Sequence, residues 1–90
     1  MKKISLIMSA YNEQNTVGKV LSKLKYLDFI NEIILVDNGS TDNTYSKLLE
    51  AEKSDSRISI FRITKNKGLG LGIKLAIENT TGDIIVRQDA

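Results

Sequence analysis

Neither cysteine nor histidine occurs among the 90 residues of this chain, which narrows the chemistry its side chains can do. A disulfide, a zinc site of the Cys/His kind, a thiol nucleophile and a Ser-His-Asp triad are all excluded within these residues. Any metal must be held by oxygen ligands, which favours Mg²⁺ or Mn²⁺. Three short clusters stand out for residue type and spacing: Ser9-Ala10-Tyr11-Asn12-Glu13, Asp37-Asn38-Gly39-Ser40-Thr41-Asp42-Asn43-Thr44, and Gln88-Asp89. In each, carboxylates and amides stand beside small residues. A fourth, Asn66-Lys67-Gly68-Leu69-Gly70-Leu71-Gly72, has glycines close enough to let backbone amides approach an anion. It matches neither G-x-G-x-x-G after a first strand nor G-x-x-x-x-G-K-[ST]. Lys67 and Lys74 read first as ordinary solvated lysines.

The elements that must position these clusters follow from the apolar pattern. Ile4, Leu6, Ile7 and Met8 form a nearly continuous run ending at Ser9-Ala10, the mark of a strand buried on both faces. Val17, Val20, Leu21, Leu24 and Leu27 recur at helical spacing, with Asn12 or Asn15 expected as cap. Glu32 to Asp37 is a second buried strand, stopped by Asn38-Gly39-Ser40, and a second helix is expected from about Asp42, with Ser40, Thr41 and Asp42 as capping residues. Ile58 to Thr64 is rich in β-branched residues and alternates imperfectly, so it is predicted as a third strand at a sheet edge. The glycine-rich turn 66–72 then leads into a helix carrying Ile73, Ala76 and Ile77, with Gly82 as its C-cap, before a fourth strand at Asp83 to Arg87. The order βαβαβαβ predicts an α/β domain over residues 1–90: a Rossmann-like, mostly parallel sheet flanked by helices with right-handed crossovers. Ligands of such sheets bind beyond the C-terminal strand ends, where strand order reverses. Ser9 to Tyr11, Asp37 to Gly39 and Gln88-Asp89 all fall there.

Composition supports a packed domain: 41% hydrophobic, 27% charged, six glycines and no proline. Lys and Arg number 13 against 11 Asp and Glu, and the net charge of +2 is spread along the chain. No basic block with interleaved aromatics indicates a nucleic-acid partner. The run after Met1-Lys2-Lys3 is too short for a signal peptide, and no stretch approaches the roughly 20 apolar residues that span a bilayer. A cytoplasmic protein is expected.

Taken together, the Ser9-Ala10-Tyr11-Asn12-Glu13 cluster, the Asp37 to Thr44 cluster and Gly82-Asp83 running into Asp89-Ala90 resemble the successive signatures of glycosyltransferase family 2. The resemblance covers essentially the whole chain, in order and spacing. It implies the GT-A fold and transfer of a sugar from a nucleotide diphosphate, with uridine expected ahead of the guanosine and thymidine that relatives also use, to an acceptor hydroxyl of a saccharide, lipid or polyprenol phosphate, with inversion. Carried over by position, Ser9 and Tyr11 line the nucleobase pocket, where a tyrosine ring can stack on a base. Asp37 accepts from the ring N–H of the base. Without the resemblance, Tyr11 would read as a turn residue capping the sheet edge, and Asp37 as a strand-end residue satisfying local N–H groups. Glu13 matches an acidic position near the pocket and serves equally to complement a helix dipole. Asn66, Gly68 and Lys74 are further nucleotide-binding candidates, from a segment that opens a helix beside the nucleotide.

Asp89 occupies the first aspartate of the family's Asp-x-Asp metal motif, whose Mg²⁺ or Mn²⁺ bridges the diphosphate. The second aspartate and the downstream general base are not among the 90 residues, and no catalytic residue is assigned within them. Weak nucleotide binding without turnover is therefore expected of the chain alone. With later strands absent, Ile84, Ile85 and Val86 are expected on an exposed edge that invites self-association. In the full-length protein, placement at the inner face of the membrane is compatible with a lipid acceptor. The alternative is a noncatalytic nucleotide-binding or interaction module. A nucleotidyltransferase or dehydrogenase would need a glycine-rich loop after the first strand, and Ser9 to Thr16 contains none.

Overall fold

The computed structural model describes residues 2–64 and 69–89. Seven elements alternate: β1 (Ile4–Ala10), α1 (Val17–Leu24), β2 (Glu32–Asn38), α2 (Thr44–Ser54), β3 (Ile58–Ile63), α3 (Leu69–Glu78) and β4 (Ile84–Arg87). The four strands form one parallel sheet in the order β3-β2-β1-β4. The chain therefore steps outward from β1 to β2 to β3, then crosses back to lay β4 on the other side of β1. That reversal makes the C-terminal ends of β1 and β4 a topological switch point.

Strand alternation divides the core in two. Leu6, Met8, Ile33 and Leu35 face one way and pack with Val17 and Leu24 of α1 and Leu48 of α2. Ile7, Ile34 and Val36 face the other way, against Ala76 of α3, with Ile73, Leu75, Phe61 and Ile63 around them. Helices thus cover both faces, and β1 and β2 are buried on both, which is why their sequences read as unbroken apolar runs. Among the described residues no helix is long and apolar enough to cross a membrane.

The N-terminal end of the sheet is tied by side chains. Glu32 accepts from Ser5 Oγ at 2.7 Å, Thr81 N at 2.8 Å and Thr81 Oγ1 at 3.0 Å. Partial burial alone would raise the pKa of this carboxyl, but those donors outweigh it and hold the group below its ordinary value. Gly82 N donates to Ser5 Oγ at 3.0 Å. A Cβ on Gly82 would also meet Ser5 N at 2.9 Å and Lys3 O at 3.0 Å. Gly82 is therefore not the helix cap expected from the sequence: α3 ends at Glu78, and Gly82 is small because β1 passes directly beside it.

Three further local expectations are corrected. Neither Asn12 nor Asn15 caps α1: Thr16 takes the N-cap position without a side-chain capping bond, and the Glu13 carbonyl accepts from Thr16 N and Val17 N at 3.0 and 2.8 Å. Asn12 adopts a left-handed φ of 48° and joins two loops instead, accepting from Thr41 N at 2.8 Å while its own N–H donates to Ser40 Oγ at 3.0 Å. Ser40 and Thr41 thus serve that junction; Asn43 takes the N-cap position of α2 without a side-chain capping bond, and Asp42 just before it accepts from Thr44 N at 2.9 Å. Finally, α3 begins at Leu69, so Gly70 and Gly72 are helical rather than part of a turn. Gly72 packs closely on β1: a Cβ there would meet Ser9 Oγ, so the serine side chain would have to turn away.

Candidate functional site

The C-terminal strand ends bring Ser9, Tyr11 and Asp37 to one rim of the sheet. Ala10 is the register partner of Asp37, and Asp37 of Arg62, so the first three strands meet at this level. The side chains then divide between the faces. Ser9 lies opposite Val36 and turns toward α3, where Gly72 covers it. Asp37, one residue further along β2, turns the other way, toward α2 and Tyr45.

Asp37 is wholly buried. Its Oδ2 accepts from Arg62 Nε at 3.2 Å, and the Arg62 guanidinium stacks over the Tyr45 ring with 4.2 Å between Cζ and the ring centroid. Its Oδ1 has no hydrogen-bond partner among the described residues, and neither does the buried Ser9 Oγ. A buried acceptor left unpaired costs about 1–3 kcal/mol. Such groups collect where a ligand completes the bonding. Tyr11 follows β1 directly and is 43% exposed, so its ring offers a flat apolar surface at the same rim.

Glu13 is held in the loop bundle. Its N–H donates to Thr44 Oγ1 at 2.8 Å, and its carboxylate accepts from Thr16 Oγ1 at 3.1 Å. Beside it Asp42 accepts from Thr44 Oγ1 at 2.5 Å and from Gln14 N at 3.3 Å. Partial burial pushes the Asp42 carboxyl up, and the donors from Thr44 and Gln14 more than offset this, leaving its pKa below the ordinary value. Lys74 is exposed on α3 and lines a hollow with Ile63, Leu71, Leu75 and Glu78, which does not include Ser9, Tyr11 or Asp37. Asn66 and Gly68 lie outside the described residues. A larger groove of about 510 Å³ runs between α1 and α2, lined by residues such as Leu21, Lys47 and Ala51. None of Ser9, Tyr11, Asp37 and Asp89 lines it; it is the seam between two short helices, closed at one end by Ile58.

Asp89 extends past β4 with its side chain 88% exposed and Arg87 Nη2 at 3.6 Å. It supplies one anionic oxygen, the donor type a hard divalent cation takes. Among the described residues no group of three or more Asp and Glu side chains forms a metal site. Asp89 therefore fits as a single ligand, and the other ligands would have to come from elsewhere.

With this rim in place, the comparisons with known proteins become specific. The family model described as glycosyl transferase family 2 matches residues 5–90. The chain belongs to glycosyl transferase family 2. Among solved structures, the mannosyltransferase PcManGT from Pyrobaculum calidifontis, in complex with GDP-Man and Mn²⁺, superposes with a TM-score of 0.89 at 24% identity, over 98% of this chain and 27% of that one. S. aureus TarS 1-349 in complex with UDP gives 0.88 at 24% identity, over 97% and 27%. Glucosyl-3-phosphoglycerate synthase from Mycobacterium tuberculosis, in complex with Mn²⁺, UDP and glucosyl-3-phosphoglycerate, gives 0.80 at 25%, over 98% and 33%. This family 2 chain thus has the Rossmann-like GT-A arrangement, and it spans a third or less of the length of these three proteins.

Sequence reasoning missed Arg62 and Tyr45, which complete the surroundings of Asp37. Arg62 shares a strand-end level with Asp37 only once the β2–β3 register is known. Tyr45 falls within the second helix, where nothing in its spacing marks it as a neighbour of Asp37.

Proposed function

We propose that this chain forms the donor-nucleotide part of an inverting glycosyltransferase. In this reading the whole protein transfers a sugar from a nucleoside diphosphate, UDP foremost, to an acceptor hydroxyl. The observation that carries it is the wholly buried Asp37 carboxylate at the C-terminal end of β2, with one oxygen engaged by Arg62 and the other unpaired. A carboxylate so placed accepts the ring N–H of a base, while Tyr11 offers its ring face. The family membership and the UDP, GDP-Man and Mn²⁺ in the structural neighbours support the same class of ligand.

Ser9 contributes its unpaired hydroxyl beside the α3 start, and Asn66, Gly68 and Lys74 are assigned to the nucleotide on sequence grounds. Glu13 acts mainly by holding the loop that carries Tyr11, through Thr16 and Thr44. Asp89 would hold a divalent ion, Mg²⁺ or Mn²⁺, which when bound neutralises charge on the departing diphosphate. No general base is assigned among the 90 residues, so turnover by this chain alone is not expected. The same proposal places the protein in the cytoplasm, and at the inner membrane face where the acceptor is a lipid. It also includes pairing of two copies through β4.

Calorimetric titration with UDP, GDP and dTDP, with and without Mn²⁺, tests this reading. Saturable UDP binding that falls at least tenfold in Asp37→Ala is the expected result, and tightening by Mn²⁺ that Asp89→Ala abolishes would bring Asp89 into the site. A folded chain that binds none of the three nucleotides would favour a noncatalytic interaction module.

A further inference from the structure

We infer that Arg62 selects the base: it leaves Asp37 one unengaged oxygen, sets a cation against the other, and so favours a base with one ring N–H over one with two adjacent N–H donors. The inference rests on Asp37 being the base acceptor, and deepens that reading by naming what decides between bases.

Arg62 and Asp37 are register partners on adjacent parallel strands, so their side chains leave the same face of the sheet at the same level. The bond from Arg62 Nε engages Oδ2 at 3.2 Å, and Oδ1 has no partner among the described residues. Tyr45 supports the arrangement from the helix side, since the guanidinium Cζ sits over its ring at 4.2 Å from the centroid. Arg62 is thus restrained by its strand, by Asp37 and by Tyr45, although its side chain remains 44% exposed.

A carboxylate with both oxygens open can take two parallel N–H groups at once, as it does with a guanidinium fork. Guanine presents such a pair in its ring N1–H and neighbouring exocyclic amino group. Uracil and thymine present one ring N–H between two carbonyls. With Oδ2 already engaged, guanine at this carboxylate would bring its second donor against a cation that cannot accept. A pyrimidine would instead place a carbonyl there, where the remaining guanidinium N–H groups can donate. Rejection therefore comes from an unpaired donor facing a positive charge, a stronger discriminator than a missing contact.

The test is the ratio of UDP to GDP affinity in the full chain and in Arg62→Ala, Arg62→Lys, Tyr45→Ala and Asp37→Asn, each checked for folding by circular dichroism. The unmodified chain is expected to prefer UDP by at least tenfold. Arg62→Ala should cut that ratio at least fivefold, largely by tightening GDP, and Tyr45→Ala should move it the same way by less. If Arg62→Ala does not fold, Arg62→Lys and Tyr45→Ala carry the test, because the first replaces the guanidinium by a single ammonium and the second removes the ring beneath it. An unchanged ratio in the folded variants, with UDP binding still weakened by Asp37→Asn, overturns the role of Arg62 and leaves the Asp37 reading intact. UDP binding indifferent to Asp37→Asn, or absent altogether, overturns both. A preference of the unmodified chain for GDP overturns the selection by Arg62 alone.

Discussion

Arg57 donates to the main-chain carbonyls of Leu24, Leu27 and Ile30, at 3.1, 2.7 and 2.9 Å, and to both carboxylate oxygens of Asp55. It thereby closes the C-terminal end of α1 and the turn that follows, where carbonyls have no helical partner. Both side chains of the pair are mostly shielded, at 20% and 14% exposure. Arg57→Ala should destabilise the fold by about 3 kcal/mol, because it takes the side-chain donor from the Ile30 carbonyl and the ion-pair partner from a mostly shielded carboxylate, and removes a second bond from the Leu24 and Leu27 carbonyls, which keep the N–H groups of Leu27 and Ile30. Lysine cannot supply the fork and should rescue only part of this. The hydrogen bond from Arg57 is the main reason the Asp55 carboxyl lies below its ordinary pKa, against an opposing push from burial. A depressed carboxylate stabilises the fold above its unfolded pKa, about 3.9, and loses that contribution as pH falls through the lower folded value. Urea titrations at pH 7 and pH 3 should therefore show the gap between the natural chain and Arg57→Ala narrowing at the acid end. A gap independent of pH would remove the ion pair from the account. The same pairing of arginine with aspartate has a different outcome at Asp37, where only one oxygen is engaged and the other has no partner among the described residues.

Of the two sheet edges, β4 is the more exposed. β3 sets Ser59 and Arg62 among its outward positions, and a charge on an edge discourages pairing with another chain. β4 presents Ile84, Ile85 and Val86 at 45%, 42% and 39% exposure, with its outer backbone groups facing no other strand of the sheet. Its sequence is self-complementary: an antiparallel partner centred on Ile85 would set Asp83 of one copy against Arg87 of the other, twice. Sedimentation across a concentration series should show dimers, and Ile85→Lys should return them to monomers. A monomer at high concentration in the natural chain would contradict this. At this scale the sequence was largely readable. The strands of the sheet centre appear as apolar runs because both faces of β1 and β2 are buried, and the edge position of β3 shows in its imperfect alternation. The helix caps were not readable, because Asn12 and Ser40 bond between loops nearly thirty positions apart, and sequence distance hides such partners. The start of α3 was hidden by its glycines, which mark a turn by propensity but here serve close packing, Gly72 lying over Ser9.

For the whole molecule, the strand order β3-β2-β1-β4 decides which polar residues share a rim. Because β4 returns to the far side of β1, the polar residues that follow each strand meet at one rim, with Tyr11, Asp37 and Asp89 contributed by three different strand ends. The alternation of elements made that rim legible, as did the three clusters that follow the strands. Which side chains face each other across it depends on register, and so Ser9 and Asp37, near neighbours on the rim, turn to opposite faces. The most direct test of a nucleotide at this rim is a two-dimensional ¹⁵N–¹H spectrum of the chain titrated with UDP. Saturable shifts confined to the amides of residues 9–13, 36–40 and 61–63, and lost in Asp37→Asn, are the predicted result. Shifts centred on the α1–α2 groove around Leu21 and Ala51, with the strand ends unmoved, would contradict it.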